Sequence, residues 1–176
     1  MTLEGWARLD TDAGTNMLIH KKPAYKEEGY FVTVRKRDSG TLLYSYLGYS
    51  ESEQRAGSFP IHKWTHWAVT SDGVNRRHYI NGELAGEFTE DAGVFTPSAE
   101  PLLLAKTVPV NTGLAECRLW NVARTQTEIK STMDKNVTTP MPGLIAVWPL
   151  GENAKDVIGD HHGVMYNNLQ FKKWKE

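Results

Sequence analysis

The chain reads as an all-β protein, a two-sheet antiparallel sandwich with one short helix. Three observations predict this. About a dozen short segments alternate apolar and polar residues, or run apolar for strand length, between turn-forming clusters. Two dipeptides, Asp72-Gly73 and Asn81-Gly82, lie between flanks rich in Trp, Val, Tyr and Ile, where glycine supplies the positive φ of a tight hairpin turn. A helix start signal is found at one place, Thr125-Gln126-Thr127-Glu128. Alternating faces of this kind are buried by laying one sheet on another.

Taken in order, residues 2–9 alternate as a strand, ended by the turn-rich loop 10–16 (DTDAGTN). A short strand at 17–20 precedes a charged loop, 21–29, with Pro23. Strands at 30–37 and 41–49 form a hairpin through Ser39-Gly40, with Arg35 and Arg37 on its outer face. Residues 50–60 are polar and read as an exposed loop. The two turn dipeptides then divide a meander into strands at 63–71, 75–80 and 83–89. A loop with Pro97 leads to an apolar strand at 101–106, and another strand follows at 114–122. In the capping box Thr125 serves the backbone donor of Glu128 while Glu128 reaches back, and Ile129 and Met133 share the helix face turned to the body. Strands at 143–150 and 163–166 close the pattern. No repeat period or internal boundary interrupts it.

With 176 residues the chain is long enough to bury roughly 70% of its unfolded surface. Its 20 Lys and Arg against 21 Asp and Glu leave a net charge of −1, so no whole-molecule field draws in nucleic acid or an anionic membrane. Neither an apolar run of membrane length nor a leader pattern is present, so no membrane insertion is expected. The lone Cys117 excludes an intrachain disulfide and a cysteine zinc cage, and reads as a small core residue. Because strand pattern begins directly after Met1, the chain reads as a module of a longer protein. One sequon, Asn136-Val137-Thr138, carries no weight for localisation.

Three blocks carry a resemblance. Trp64-Thr65-His66-Trp67-Ala68-Val69-Thr70, then Asp72-Gly73 and Tyr79-Ile80-Asn81-Gly82-Glu83-Leu84-Ala85-Gly86, form the first. The second is Glu116-x-Arg118-Leu119-Trp120-Asn121-x-Ala123-Arg124-Thr125-x-x-Glu128-Ile129. The third is Gly143-Leu144-Ile145-Ala146-x-Trp148-Pro149-Leu150, with Glu152, Asp160 and Gly163. In this order they resemble the laminin-G-like jelly rolls of the concanavalin A-like lectin/glucanase superfamily. The resemblance implies a two-sheet antiparallel jelly roll over 1–169, with 170–176 as tail or linker. It implies that Trp6, Trp64, Trp120 and Trp148 are core and that His66 has a hydrogen-bonded structural role. The opening strand such modules carry before Thr2 has no counterpart, and 163–166 is the candidate to fill that edge. The function implied is non-catalytic, lectin-like carbohydrate recognition within a larger secreted or cell-surface protein. The alternative is a protein-interaction, assembly or host-receptor-binding module of the same fold.

Glucanases of the superfamily place two acids on one strand in an E-x-D-x-x-E arrangement, and no such spacing occurs here, so no catalytic residue is assigned. Glu83, Glu87, Glu90 and Asp91 read as a solvated surface. His62 and His66 are four apart in a strand context, which does not converge on a metal. His161-His162 falls in a loop. The loop 106–113 lacks the carboxylates that pentraxins resembling this chain use for calcium. The candidate calcium set is instead Asp10, Asp12 and Asn16, with an ordinary acidic turn as its alternative. A glycan or glycosylated surface would be met by aromatic faces and planar polar groups: Tyr44, Tyr46 and Tyr49 with Arg35 and Arg37, joined by Arg77 and Tyr79. The alternative is that Tyr44 and Tyr46 pack in the core and the arginines are merely solvated. Neighbouring protein domains are the other expected partners; nucleic acid is not.

Overall fold

The computed structural model describes residues 1–11, 14–23, 28–47, 54–89, 98–107, 112–166 and 170–172. Eleven strands and one helix are seen among them. The strands are β1 (Thr2–Arg8), β2 (Thr15–Lys21), β3 (Tyr30–Arg37), β4 (Gly40–Leu47), β5 (Gln54–Ser58), β6 (Thr65–Ser71), β7 (Asn75–Ile80), β8 (Glu83–Thr89), β9 (Leu103–Thr107), β10 (Gly113–Trp120) and β11 (Leu144–Trp148); the helix α1 is Gln126–Thr132. They make a six-stranded sheet, β11-β10-β1-β6-β7-β8, and a five-stranded sheet, β5-β4-β3-β2-β9. Every pairing is antiparallel. The expected all-β jelly-roll sandwich is therefore what the chain forms.

Alternation decides what lies between the sheets. Leu3, Ala7, Trp67, Val69, Cys117 and Trp148 point inward from one sheet, and Leu18, Tyr30, Val32, Val34 and Leu43 from the other, all buried. Cys117 is a core residue as expected, and burial pushes its thiol up to about 12. Polar groups also cross the gap. Arg76 on β7 donates to the Ser45 and Leu47 carbonyls of β4, each at 3.3 Å, and His78 Nε2 lies 2.7 Å from Ser45 Oγ. A buried guanidinium is tolerable here because backbone acceptors of the opposite sheet meet it.

The two central turns form as read. Gly73 has φ +89°, and Asn81 and Gly82 have φ +51° and +75°, the left-handed pair of a two-residue hairpin. The capping box is complete, with Thr125 accepting from the Glu128 backbone and Glu128 accepting from that of Thr125.

Two expectations are corrected. Within 50–60, Gln54–Ser58 is not loop but the edge strand β5, because its backbone pairs with β4 although its side chains are mostly polar. Residues 163–166 form no strand and fill no sheet edge. The chain after β11 is instead pinned by the buried carboxylate of Asp156, which accepts from the backbone of Val147 and Ile158 and from the His161 ring.

Edge strands β5 and β8 meet across the sandwich. A Cβ on Gly57, whose φ is +66°, would stand 2.7 Å from Ile80 Cδ1 and 2.9 Å from Ala85 Cβ. Gly57→Ala is therefore expected to cost about 1–3 kcal/mol, from overpacking and a left-handed backbone together. A chemical-denaturation midpoint unchanged from wild type would show that this seam yields freely.

Candidate functional site

The outward face of the five-stranded sheet gathers the residues best suited to a ligand. Register places Phe31 opposite Tyr46 and Thr33 opposite Tyr44, while Val32 and Val34 turn to the core. Phe31 and Tyr46 stack at 5.5 Å and 14°, and His20 continues the row against Phe31 at 6.3 Å and 13°. Cations cap these rings. The Arg35 and Arg37 guanidiniums lie 5.2 and 5.6 Å from the Tyr44 ring centre, and Lys22 Nζ lies 4.0 Å from that of Tyr46. At the far side Lys106 Nζ is 3.4 Å from His20 Nε2. Burial, followed by the charges of Lys106 and Lys22, holds His20 below its ordinary value.

Tyr44 and Tyr46 are only 3% and 6% exposed, yet neither belongs to the cluster between the sheets. They form a floor, and the arginines stand above it. Four of the expected ligand residues, Arg35, Arg37, Tyr44 and Tyr46, thus share one face; Tyr49 lies outside the described residues. Phe31, His20, Lys22 and Lys106 were missed, although the alternation of 30–37 already put Phe31 beside Arg35. Arg55 was missed because its strand was read as loop.

Arg77 and Tyr79 do not join this face, which corrects the sequence reading. They stand on β7 of the other sheet. Tyr79 packs with Ala68 and Ile129 beneath α1, while Arg77 is held by Glu87 at 2.7 Å and Asp72 at 3.0 Å. Parity along a strand fixes which residues are neighbours on that strand but not which sheet the strand enters.

Beneath α1 lies a second concentration of titratable groups, and it is closed. Glu4, with no exposed surface, accepts from Arg124 Nη1 at 2.9 Å and Trp120 Nε1 at 2.9 Å, with Arg118 Nη1 at 3.6 Å. Arg118 also meets Glu116 at 3.0 Å and donates to the Thr132 and Lys135 carbonyls, while Arg124 donates to that of Glu128. The Arg124 guanidinium stacks 4.0 Å from Trp120. Trp6 Nε1 donates to Met133 O at 2.8 Å. The residues of the second sequence block are therefore the clamp that fastens the helix to the sheet. Trp120 is buried in that clamp rather than between the sheets.

His66, beside Glu4, differs from expectation. Its Nδ1 has no hydrogen-bond partner and its Nε2 stands 3.8 Å from Glu4 Oε2, so it is held by edge packing on Trp6 at 5.4 Å. Burial, then Arg118 and Arg124, pull it down to about 3.

The calcium candidates turn to separate partners. Asp10 accepts from Arg8 Nε at 2.8 Å, and Asn16, fully buried, directs Nδ2 to the Val34 carbonyl at 3.4 Å; Asp12 lies outside the described residues. Among the described residues no group of three or more His, Cys, Asp or Glu is arranged to hold a metal ion. Likewise no helix there is long and apolar enough to cross a membrane.

Comparison with known proteins agrees with the architecture. Pappalysin-1 of Mus musculus is 33% identical over an alignment taking in 47% of this chain, which spans 6% of that protein. A structure described as a putative carbohydrate binding protein from Bacteroides ovatus superposes with a TM-score of 0.67 at 21% identity, over 85% of this chain and 44% of that one. Domain 4 of AbnA, an extracellular arabinanase from Geobacillus stearothermophilus solved with arabinotriose, gives 0.57 at 21% identity, over 76% and 66%. At such identities the two structures establish the fold alone. A laminin-G-type family model, described as the concanavalin A-like lectin/glucanases superfamily, matches residues 1–130, and the chain belongs to that family.

Proposed function

We propose that this chain is a non-catalytic carbohydrate-recognition module of a larger extracellular protein, and that it meets its ligand on the outward face of the five-stranded sheet. The observation that carries this reading is the pair of guanidiniums held over the Tyr44 ring, beside the Phe31–Tyr46 stack. Planar N–H donors fixed by an aromatic floor suit sugar oxygens, because little side-chain freedom remains to be lost on binding. The likeness to a protein described as a putative carbohydrate binding protein, and to an arabinanase domain solved with arabinotriose, supports it. For the absence of catalysis, the support is that Glu4, Glu116 and Asp156 are buried and committed to arginine, tryptophan or backbone donors.

A glycan array followed by calorimetry, run in calcium and in chelator, tests the reading. Binding to at least one saccharide with no release of reducing ends is expected. Silence across neutral and acidic glycans would overturn recognition, and release of reducing ends would overturn the non-catalytic assignment. A protein-docking role is the second reading, favoured by the exposed run Val164, Met165 and Tyr166, at 76%, 42% and 68%.

A further inference from the structure

Resting on that carbohydrate reading, we propose that the face selects acidic glycans, chains bearing carboxylate or sulfate groups, with Arg37 and Arg55 as its anchors on either side of Tyr44. Charge is divided unevenly between the two sheets. The strands of the five-stranded sheet contain no Asp or Glu, yet they carry Lys21, Arg35, Lys36, Arg37, Arg55 and Lys106. The six-stranded sheet mixes both signs and pairs them, as in Arg77 with Glu87 and Arg118 with Glu116. With a net charge of −1 for the whole chain, the excess is a property of this layer and not of the molecule. A local field of one sign concentrates ligands of the other.

The cations converge as well as accumulate. Arg35 and Arg37 cap the same tyrosine ring, and Arg55 is the direct cross-strand neighbour of Tyr44, so its side chain leaves the sheet on that same face. Arg37 and Arg55 are both exposed. Guanidiniums so placed repel one another and are matched by an anion able to accept from two of them at once. A second observation points the same way: the Tyr44 hydroxyl is buried and has no hydrogen-bond partner. It is a donor left over on the ring that Arg35 and Arg37 cap. The described acids nearest in the chain stand at the margins: Glu28 two residues before β3, Asp38 in the β3–β4 turn, and Glu100, whose charge reaches His20. The tyrosine rings are too covered to stack a base, which sets the face apart from a single-stranded nucleic-acid platform.

The test is calorimetric titration at physiological salt with a uronate oligosaccharide carrying carboxylates alone, a heparin oligosaccharide carrying sulfates, a neutral arabinan and a DNA duplex. Binding to one or both acidic saccharides is expected. It should weaken about tenfold in R37Q and in R55Q, the scale of one charge-assisted contact, and further in the double variant. Y44F should weaken it with no loss of melting temperature, whereas R77Q, on the opposite sheet, should bind as wild type. Binding to the neutral saccharide alone would overturn the charge selection and leave the carbohydrate reading standing. Binding to no saccharide would overturn both. Equal affinity for the duplex, or acidic binding unchanged in the double variant, would overturn the assignment to this face.

Discussion

Replacing Glu4 by Gln is expected to cost the fold about 3–5 kcal/mol, the range for breaking a buried ion pair by removing one partner. The carboxylate sits in the clamp with no exposed surface, between Arg124, Trp120 and Arg118. Gln keeps the shape and removes the charge, which leaves two buried guanidiniums answered by Glu116 and by carbonyls only. Those carbonyls, of Glu128, Thr132 and Lys135, belong to the helix and the turn after it, so loss of the clamp also loosens α1 from the sheet. Urea unfolding of Glu4→Gln, Arg124→Met and the double variant gives the coupling directly. A strongly subadditive double variant is expected. A Glu4→Gln loss under about 1 kcal/mol would mean that water already compensates these charges.

Acid should weaken the fold before the carboxylates titrate. His66 and His78 are buried and pulled down from 6.5 to about 3, in both cases by burial first and then by neighbouring arginines, Arg118 and Arg124 for one and Arg76 for the other. The sign follows from the direction. A folded value below the unfolded one means the unfolded chain takes up protons first, so this stability is fully present above pH 6.5 and is lost as pH falls toward 3. At pH 5 each histidine alone gives about 2 kcal/mol of loss, about 4 together, since each pH unit in this range is worth ~1.4 kcal/mol. His20, also held low, adds in the same direction. Denaturant midpoints should hold from pH 7.5 to about 6.5 and fall from there to pH 5, and His78→Gln should flatten part of that slope. A flat profile over that range would mean the histidines reach water or gain partners on protonation.

Much of the architecture was legible because its signals are local. The Asn81-Gly82 turn and the Thr125 to Glu128 box act over two to four residues, and both form as read. Strand β5 was illegible because QRAGS has little strand character of its own and is drawn into the sheet by the edge of β4. The clamp was visible as a residue pattern, but its physics was not. Trp120 and Arg124 reach Glu4 across 116 and 120 positions of sequence, and the bulge that gives Glu116 a φ of +48° has no local signature. The candidate face was half legible. Alternation grouped Arg35, Arg37, Tyr44 and Tyr46, while Arg77 and Tyr79 were added from a strand whose sheet the sequence does not name. The segregation of charge between the two sheets becomes visible once strand order is known, since β2, β3, β4, β5 and β9 are scattered along the chain.

Amide chemical-shift mapping of the 15N-labelled chain, titrated with an acidic oligosaccharide, tests the central claim most directly. Perturbations centred on Arg35, Arg37, Tyr44 and Arg55, with α1 and β10 unmoved, are the result predicted. Shifts confined to the six-stranded sheet or to 150–166, with β3 and β4 silent, would contradict it.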